Sequence, residues 1–209
     1  MARRGRLIAL EGIDGSGKSA QAALLQLALE RFGHEVIVIK AKETGQNEVV
    51  ANFIKTFDIK TDSVAFMFLY QALHRQQYEA AKTAMDKGML VIADRWDTSF
   101  FVYHDIMGPL TRRPKNWLKI LNTLAFENLN PDINFYINIP VDIAIDRRII
   151  RGDIITSRED ESKFYTSISA EYEKLLGHNK YCHIIDGTLS IEELHQKIIK
   201  TVLTFIDWG

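Results

Sequence analysis

Short runs of consecutive apolar residues alternate along this chain with longer stretches in which apolar residues recur every three or four positions. The runs are Leu7–Leu10, Val36–Ile39, Met89–Ala93, Ile133–Ile139 and, shorter than the others, His183–Ile185. Continuous Val/Ile runs of this length are typical of strands buried on both faces of a parallel sheet. We therefore predict five strands.

The stretches between these runs have helical spacing. They are Ser19–Phe32, Ser63–Asp86, Trp117–Leu129, Val141–Ile150, Ser162–Leu176 and Ile191–Phe205. Strands that alternate with helices predict an α/β fold, a parallel five-stranded sheet flanked by helices. Right-handed crossovers bring the carboxyl ends of the strands to one edge, where ligands bind. We expect the chemistry in residues 11–19, 40–45 and 94–104 and after residue 139.

Composition narrows the class of protein. The chain has 209 residues, 46% hydrophobic and 25% charged, which predicts one globular domain over residues 1–209. A formal charge of −1 argues against a protein that coats nucleic acid. Cys182 is the only cysteine, which excludes an intrachain disulfide and a cysteine-cluster metal site. The six histidines show no metal-ligand spacing, and we expect most of them at the surface.

Targeting signals are not recognisable in the sequence. The amino-terminal residues carry charge without an apolar core long enough for secretion, and no apolar stretch approaches the ~20 residues of a membrane span. We therefore expect a cytoplasmic protein that does not enter a membrane.

A complete phosphate-loop signature, G-x-x-x-x-G-K-[ST], follows the first apolar run. Its members are Gly12, Ile13, Asp14, Gly15, Ser16, Gly17, Lys18 and Ser19. Glycines in such a loop let backbone N–H groups turn inward around phosphate oxygens, the lysine reaches the β- and γ-phosphates, and the serine hydroxyl takes Mg²⁺. The helix that follows adds the positive end of its dipole. These residues predict a site for a nucleoside triphosphate with Mg²⁺.

Two further groups of charged residues fit phosphate chemistry. Asp94 and Arg95 follow the third apolar run, where a carboxylate can hold the water shell of Mg²⁺ and an arginine can grip a second anion. Arg147 and Arg151 lie four apart on one helix face, and Arg158 follows in a polar segment. We predict a short lid there, at about residues 148–162, that closes over the transferring phosphate.

Taken together, these stretches resemble the thymidylate kinases, P-loop kinases that phosphorylate dTMP. The resemblance covers nearly the whole chain. It is carried by Glu11-Gly-Ile-Asp-Gly-Ser-Gly-Lys-Ser19, Asp94-Arg-Trp-x-x-Ser99-x-x-x-Tyr103, Pro131-Asp132 and Ala144-x-x-Arg147-x-x-x-Arg151-Gly152. It implies a three-layer P-loop kinase fold, an enzyme of nucleotide biosynthesis and a homodimer.

The resemblance also implies roles for individual residues. Lys18, Arg95 and Asp14 would be catalytic. The loop residues Gly12 to Ser19 would bind ATP together with Arg147 and Arg151, and Arg158 would act from the lid. Ser19 and Asp94 would hold Mg²⁺. The acceptor nucleotide would be bound by Asp14, Lys42, Glu43, Tyr70, Gln71, Arg75, Arg95, Ser99 and Tyr103, with Arg75 at the thymine edge and Tyr103 crowding a ribose 2′-hydroxyl.

The departures from the family pattern lie mostly on the acceptor side. Lys42 stands where an acceptor-phosphate arginine is usual, and lysine offers a point charge in place of a bidentate fork. Gln71, four residues before Arg75, stands where a phenylalanine usually stacks on thymine, and Tyr70 points about 100° away on a helix. The lid has about two extra residues before Arg158.

Three functions remain open at this point. The first is an ATP-dependent kinase that converts dTMP to dTDP. The second is a kinase for another deoxynucleotide or for a deoxynucleoside, because Gln71 can hydrogen-bond a base. The third is a nucleotide-binding homologue without transfer activity. We do not assign a general base, because the acceptor phosphate is itself largely ionised at neutral pH.

Overall fold

A computed structural model describes residues 4–44, 47–56, 63–107 and 116–207. Its strands are β1 (Leu7–Glu11), β2 (Val36–Lys40), β3 (Leu90–Asp94), β4 (Ile133–Asn138) and β5 (Cys182–Asp186). Its helices are α1 (Lys18–Arg31), α2 (Asn47–Thr56), α3 (Ser63–Asp86), α4 (Asp97–Met107), α5 (Asn116–Phe126), α6 (Val141–Arg151), α7 (Arg158–Leu176) and α8 (Ile191–Asp207).

The five strands form one parallel sheet in the order β2-β3-β1-β4-β5, so the predicted α/β fold is confirmed. Successive residues of β1 point to opposite faces. Ile8 and Leu10 pack with α1 and α8, whereas Leu7 and Ala9 pack with α3 and α5. Burial on both faces explains why the strands have apolar runs without polar alternation.

A third apolar cluster supports the carboxyl edge of the sheet. Ile13, from the loop after β1, packs there with Val102 of α4, Ala144 of α6 and Ile168 and Tyr172 of α7. This cluster joins the phosphate loop to the helices that follow β3 and β4. The position of the loop therefore depends on contacts between segments far apart in sequence.

Two helices have no counterpart among the predicted elements. In α2 the sequence is Asn-Glu-Val-Val-Ala-Asn-Phe-Ile-Lys-Thr, in which β-branched residues lower intrinsic helix propensity. Burial of Ala51 and Ile54 and packing against α3 stabilise it. Helix α4 begins inside the motif that follows β3, a stretch for which the apolar pattern predicts no helix.

The ends of two other helices differ from the prediction for local reasons. Helix α5 stops at Phe126 because Glu127 and Asn128 adopt positive φ angles of 48° and 58°. Helix α7 begins earlier than predicted, at Arg158, because the Ser157 hydroxyl caps it by accepting a hydrogen bond from the Asp160 N–H at 3.2 Å. Both are end signals that hydrophobic periodicity does not report.

Within the described residues, none of the helices is long and apolar enough to cross a membrane.

Candidate active site

A cavity of about 1020 Å³ opens at the carboxyl edge of the sheet, between β1, β3 and helices α3, α4 and α6. One end is lined by the phosphate loop and by Arg147 and Arg151; we call it the loop end. The other, which we call the aromatic end, is lined by Phe66, Tyr70, His74, Phe100, Tyr103, His104 and Phe164. Lys18 and Arg95 both line this single cavity.

The phosphate loop owes its shape to close backbone packing. Gly15 has a φ of 89°, and a Cβ there would collide with the carbonyl of Ala144. A Cβ on Gly12 (φ 144°) would lie 2.7 Å from the carbonyl oxygen of Ile137. Gly17 caps α1 without any side-chain hydrogen bond, so the first amides of the helix are available to an anion. The loop is therefore preformed for phosphate.

Lys18 lies under the loop with 5% of its surface exposed. Its ammonium donates a hydrogen bond to the Ile13 carbonyl at 2.7 Å. Burial, together with the charge of Arg95, lowers the pKa of Lys18 to about 8 despite the opposing carboxylates of Asp14 and Asp94. A phosphate anion in the cavity would reverse this effect, because an opposite charge favours the protonated amine.

Ser19 and Asp94 meet at the loop end, where the Ser19 hydroxyl donates to the Asp94 carboxylate at 2.5 Å. Both line the cavity. Hydroxyl and carboxylate oxygens are the hard ligands that Mg²⁺ prefers, and Mg²⁺ fills its remaining positions with phosphate oxygens and water. The described part of the chain has no cluster of three His, Cys, Asp or Glu residues suited to a metal. The pair fits Mg²⁺ brought in with a nucleotide.

Arg95 connects two distant segments, the phosphate loop and α7, through its guanidinium. Nη1 donates to the Gly12 carbonyl at 2.7 Å and to the Tyr172 hydroxyl at 2.8 Å, while Nη2 donates to the Asp14 carboxylate at 2.5 Å. The ring of Tyr103 lies 5.0 Å from the guanidinium carbon. The backbone of Arg95 is left-handed, with a φ of 74°, a conformation that is uncommon outside glycine.

The carboxylate of Asp14 pairs with the guanidinium of Arg95. Its second oxygen accepts a hydrogen bond from the Tyr165 hydroxyl at 2.9 Å. Burial works against ionisation, yet the positive charges of Arg95 and Lys18 outweigh it, and the pKa of Asp14 falls well below its usual range. Asp14 is therefore ionised throughout the physiological range.

Glu11 is a buried residue of the site that the sequence analysis did not assign a role. Its carboxylate accepts hydrogen bonds from the Trp96 N–H at 2.9 Å, the Ser99 hydroxyl at 2.5 Å and the Tyr172 hydroxyl at 3.1 Å. Burial raises the pKa of Glu11, and these donors oppose that rise. Glu11 fixes the segment that follows Arg95.

Of its three predicted acceptor-binding residues, helix α3 presents only Tyr70 to the cavity. Tyr70 and His74 line the aromatic end, whereas Gln71 and Arg75 do not. Arg75 instead pairs with Glu79 and Glu127 beside α5. A one-residue shift rotates a helical side chain by about 100°. The structure does not bring Gln71 and Arg75 to the cavity where the acceptor base would bind, and the pair spaced by four that lines it is Tyr70 and His74.

The aromatic end contains two imidazoles rather than a fixed cation. His74 and His104 both pack against the ring of Phe100, at centroid distances of 5.9 and 4.7 Å. Burial lowers the pKa of His74 to about 4 and that of His104 to about 3. Both are neutral at pH 7, contrary to the expectation of surface histidines, and each can donate one hydrogen bond and accept another.

The remaining acceptor-side candidates surround the same cavity. Lys42 lies 5.5 Å from the ring centroid of Tyr70, and Glu43 forms an ion pair with Lys40 at 3.1 Å. Tyr103 presents a buried hydroxyl that neither accepts nor donates a hydrogen bond within the described ranges of the chain. Ser99, expected near the base, instead lies between Glu11 and Arg95 while still lining the cavity.

The predicted lid arginines separate into two groups. Arg147 donates to the Gly187 carbonyl at 2.8 Å, and Arg151 pairs with Asp153 at 2.6 Å; both line the cavity. Arg158 is the first residue of α7 and pairs with Asp146 at 2.6 Å, outside the cavity. The structure therefore does not bring Arg158 to the phosphates.

Several cavity residues were not assigned individually from sequence. They are Lys40, Phe66, His74, Phe100, His104, Phe164 and the segment Thr188 to Ile191 at the loop end. Lys40, Phe100 and His104 lie within stretches where chemistry was expected. The proximity of residues 188–191 to the phosphate loop follows from the tertiary packing of α8 on α1, and the Gln21 amide donates to the Ile191 carbonyl at 2.9 Å.

Comparison with known proteins identifies relatives over almost the full length. The family model described as "Thymidylate kinase" matches residues 10–198. The thymidylate kinase of Fervidobacterium nodosum is 36% identical over 95% of this chain and 99% of its own length. That of Thermosipho melanesiensis is 30% identical over 96% and 98%, respectively. A probable thymidylate kinase of Methanosarcina barkeri is 30% identical over 97% and 98%.

The lowered pKa of Lys18 predicts that triphosphate binding weakens at alkaline pH. Above pH 8 the Lys18 ammonium of the free protein loses its proton, and binding of a triphosphate must restore it. Affinity for a fluorescent ATP analogue should therefore fall as the pH rises from 8 to 9.5, by up to about tenfold per pH unit. Titrations at fixed ionic strength measure this.

The matched control for this titration is Lys18→Arg, which keeps a positive charge that does not titrate below about pH 12. Its affinity should be lower but constant over the same range. A dissociation constant of the unsubstituted protein that stays level from pH 7 to 9.5 would show that Lys18 is fully charged in the free site.

Proposed function

Because this chain belongs to the thymidylate kinase family, we propose that it transfers the γ-phosphate of ATP to dTMP, giving ADP and dTDP. The observation that carries this function is the position of Lys18 and Arg95 in one cavity, with the Ser19–Asp94 pair beside them. Two nucleotides bound with their phosphates between these cations would meet end to end.

The loop end suits the donor. The preformed loop, the free amides of α1 and Lys18 would hold the phosphates of ATP, and Ser19 and Asp94 would hold Mg²⁺. When bound, the ion neutralises charge on the phosphate chain. Arg147, which is half-buried, and Arg151, which is exposed, both line this end. Their positions suit contact with the nucleotide or with charge developing on the transferred group.

The phosphate of the acceptor would occupy the space beside Arg95. Its anionic oxygen can attack the γ-phosphate directly, so the chain needs to supply positioning and positive charge rather than a base. The Asp14 carboxylate accepts a hydrogen bond from the Arg95 guanidinium and so holds Arg95 in place before the acceptor binds. Tyr103 lies against Arg95, where it would contact the sugar of the acceptor.

The aromatic end favours a second candidate besides dTMP. Tyr70 offers a face for stacking, and His74 and His104 offer neutral imidazoles. An arginine only donates hydrogen bonds, whereas a neutral imidazole can present a donor or an acceptor at either nitrogen. This end can therefore match the O4 and N3–H of thymine and also the amino group and N3 of cytosine. Besides dTMP, this geometry favours dCMP as a second candidate acceptor.

An acceptor panel tests the proposal. With ATP and Mg²⁺, we expect dTMP to give the highest kcat/KM among dTMP, dCMP, dGMP and thymidine, with dCMP second. Coupled ADP release measures each rate. A dTMP rate no higher than those of the other acceptors would refute the dTMP assignment. ATP binding without transfer to any acceptor would instead indicate a nucleotide-binding protein without kinase activity.

Two variants locate the activity in the cavity within the same assay. Lys18→Ala and Arg95→Ala should each lower kcat by at least about 10²–10³-fold, since each removes a charge aligned with the transferring phosphate. The control is Arg31→Ala, at the exposed end of α1, which should retain the full rate. Near-normal turnover by both cavity variants would place the reaction elsewhere.

We also propose that the protein is a homodimer; a cytoplasmic location stays a prediction. Large apolar side chains are exposed on α3 and α5, which pack against each other: Phe68 is 57% exposed, Trp117 48%, Ile120 49% and Leu124 66%. Exposed apolar surface of this kind marks an interaction site.

Sedimentation at micromolar concentration tests the homodimer. The unsubstituted protein should sediment as two chains, and Leu124→Asp should shift it toward one chain by placing a charge in the contact. Leu27→Asp on α1, which is 54% exposed on the other face of the sheet, is the control and should leave the mass unchanged. A single-chain mass for the unsubstituted protein would refute the dimer.

A further inference from the structure

The backbone of Arg95 is held in a conformation that arginine rarely adopts. With a φ of 74°, it lies in the left-handed region that favours glycine. Such a conformation persists only where the surroundings fix it, and it is frequent at functional sites. The direction of the Arg95 side chain into the cavity depends on this turn at the end of β3.

Three hydrogen bonds fix the turn. The N–H of Arg95 donates to the Leu10 carbonyl at 3.0 Å, and the N–H of Trp96 donates to Glu11 at 2.9 Å. Both acceptors belong to β1. The third bond comes from the side chain of Gln77 on α3, whose Nε2 donates to the Arg95 carbonyl at 2.8 Å. Gln77 is thus the contact through which α3 determines the Arg95 backbone.

Gln77 is placed for this contact. It is fully buried, its Nε2 donates to the Arg95 carbonyl, and its side chain also interacts with the imidazole of His74 one turn earlier on α3. It lies seven residues after Tyr70 and three after His74, on the face of α3 that lines the aromatic end. The same helix face therefore contacts both the base end of the cavity and the Arg95 backbone.

We propose that Gln77 is a positioning residue for phosphoryl transfer: its amide holds Arg95 in the left-handed conformation that directs the guanidinium at the acceptor phosphate. The kinetic part of this inference rests on the proposed function. Gln77 itself touches no reacting atom, so its effect on catalysis acts through Arg95.

The test compares two substitutions of the same kind on one helix. Gln77→Met removes the donor at nearly constant volume. Gln76→Met is the matched control, because Gln76 is the neighbouring residue on α3, with an exposed side chain, and lies outside the cavity lining. Both variants are measured well below their unfolding temperatures, which thermal melts establish.

For Gln77→Met we expect the dissociation constant of dTMP to rise and kcat/KM for dTMP to fall, the latter by about tenfold or more, since a 1 Å displacement near the reacting groups can cost ~10²-fold. Affinity for the ATP analogue should fall less than affinity for dTMP, because Gln77 reaches the phosphate loop only through Arg95, which bonds to Gly12 and Asp14. Gln76→Met should leave all three values within twofold.

A double variant separates positioning from general damage. In the Arg95→Ala background, adding Gln77→Met should weaken dTMP binding by less than twofold, because the group that Gln77 directs is already absent. An additional loss equal to that of the single variant would overturn the proposal. So would unchanged dTMP kinetics in Gln77→Met, or an equal loss of affinity for the ATP analogue.

A crystal structure of Gln77→Met tests the inference without any assay. We expect the Arg95 carbonyl to rotate and its φ to leave the left-handed region, with the guanidinium displaced from Asp14. An unchanged Arg95 would overturn the positioning role even if the enzyme phosphorylates dTMP. Conversely, failure of the acceptor panel with a displaced Arg95 would refute the dTMP assignment alone.

Discussion

The site depends on one partly buried cation, the guanidinium of Arg95. It donates hydrogen bonds to the carbonyl of Gly12, the carboxylate of Asp14 and the hydroxyl of Tyr172, and so connects the loop after β1 with α7. A buried charge is costly unless it is paired. Because Asp14 supplies that pairing, the cation remains in place before any phosphate enters.

This arrangement explains the electrostatic character of the cavity. Lys18 and Arg95 are close enough that each disfavours the charge of the other, which contributes to the lowered pKa of Lys18. Phosphate oxygens between them would relieve the repulsion. Charge aligned in advance in a site shielded from water stabilises a transferring phosphoryl group without reorganisation. The oxygens of Ser19 and Asp94 lie together beside these cations and would hold a magnesium ion without rearrangement.

Much of the fold and the loop end could be predicted from sequence because their signals are local. Consecutive apolar residues determine a strand buried on two faces, and the loop signature determines the backbone around Gly15. The aromatic end was harder. Spacing of four along α3 allowed either Gln71 with Arg75 or Tyr70 with His74, and only packing against α5 and the sheet decides which pair faces the cavity. Arg158 shows the same limit, since its ion pair with Asp146 follows from where α7 begins.

Binding of adenosine and thymidine joined through one oligophosphate chain tests the central claim most directly. If donor and acceptor share the cavity between Lys18 and Arg95, one molecule of this compound should bind per chain and displace both the ATP analogue and dTMP. Either substitution, Lys18→Ala or Arg95→Ala, should weaken it. Displacement of only one nucleotide, or binding of two molecules per chain, would show that the two phosphates occupy separate sites and would contradict the account.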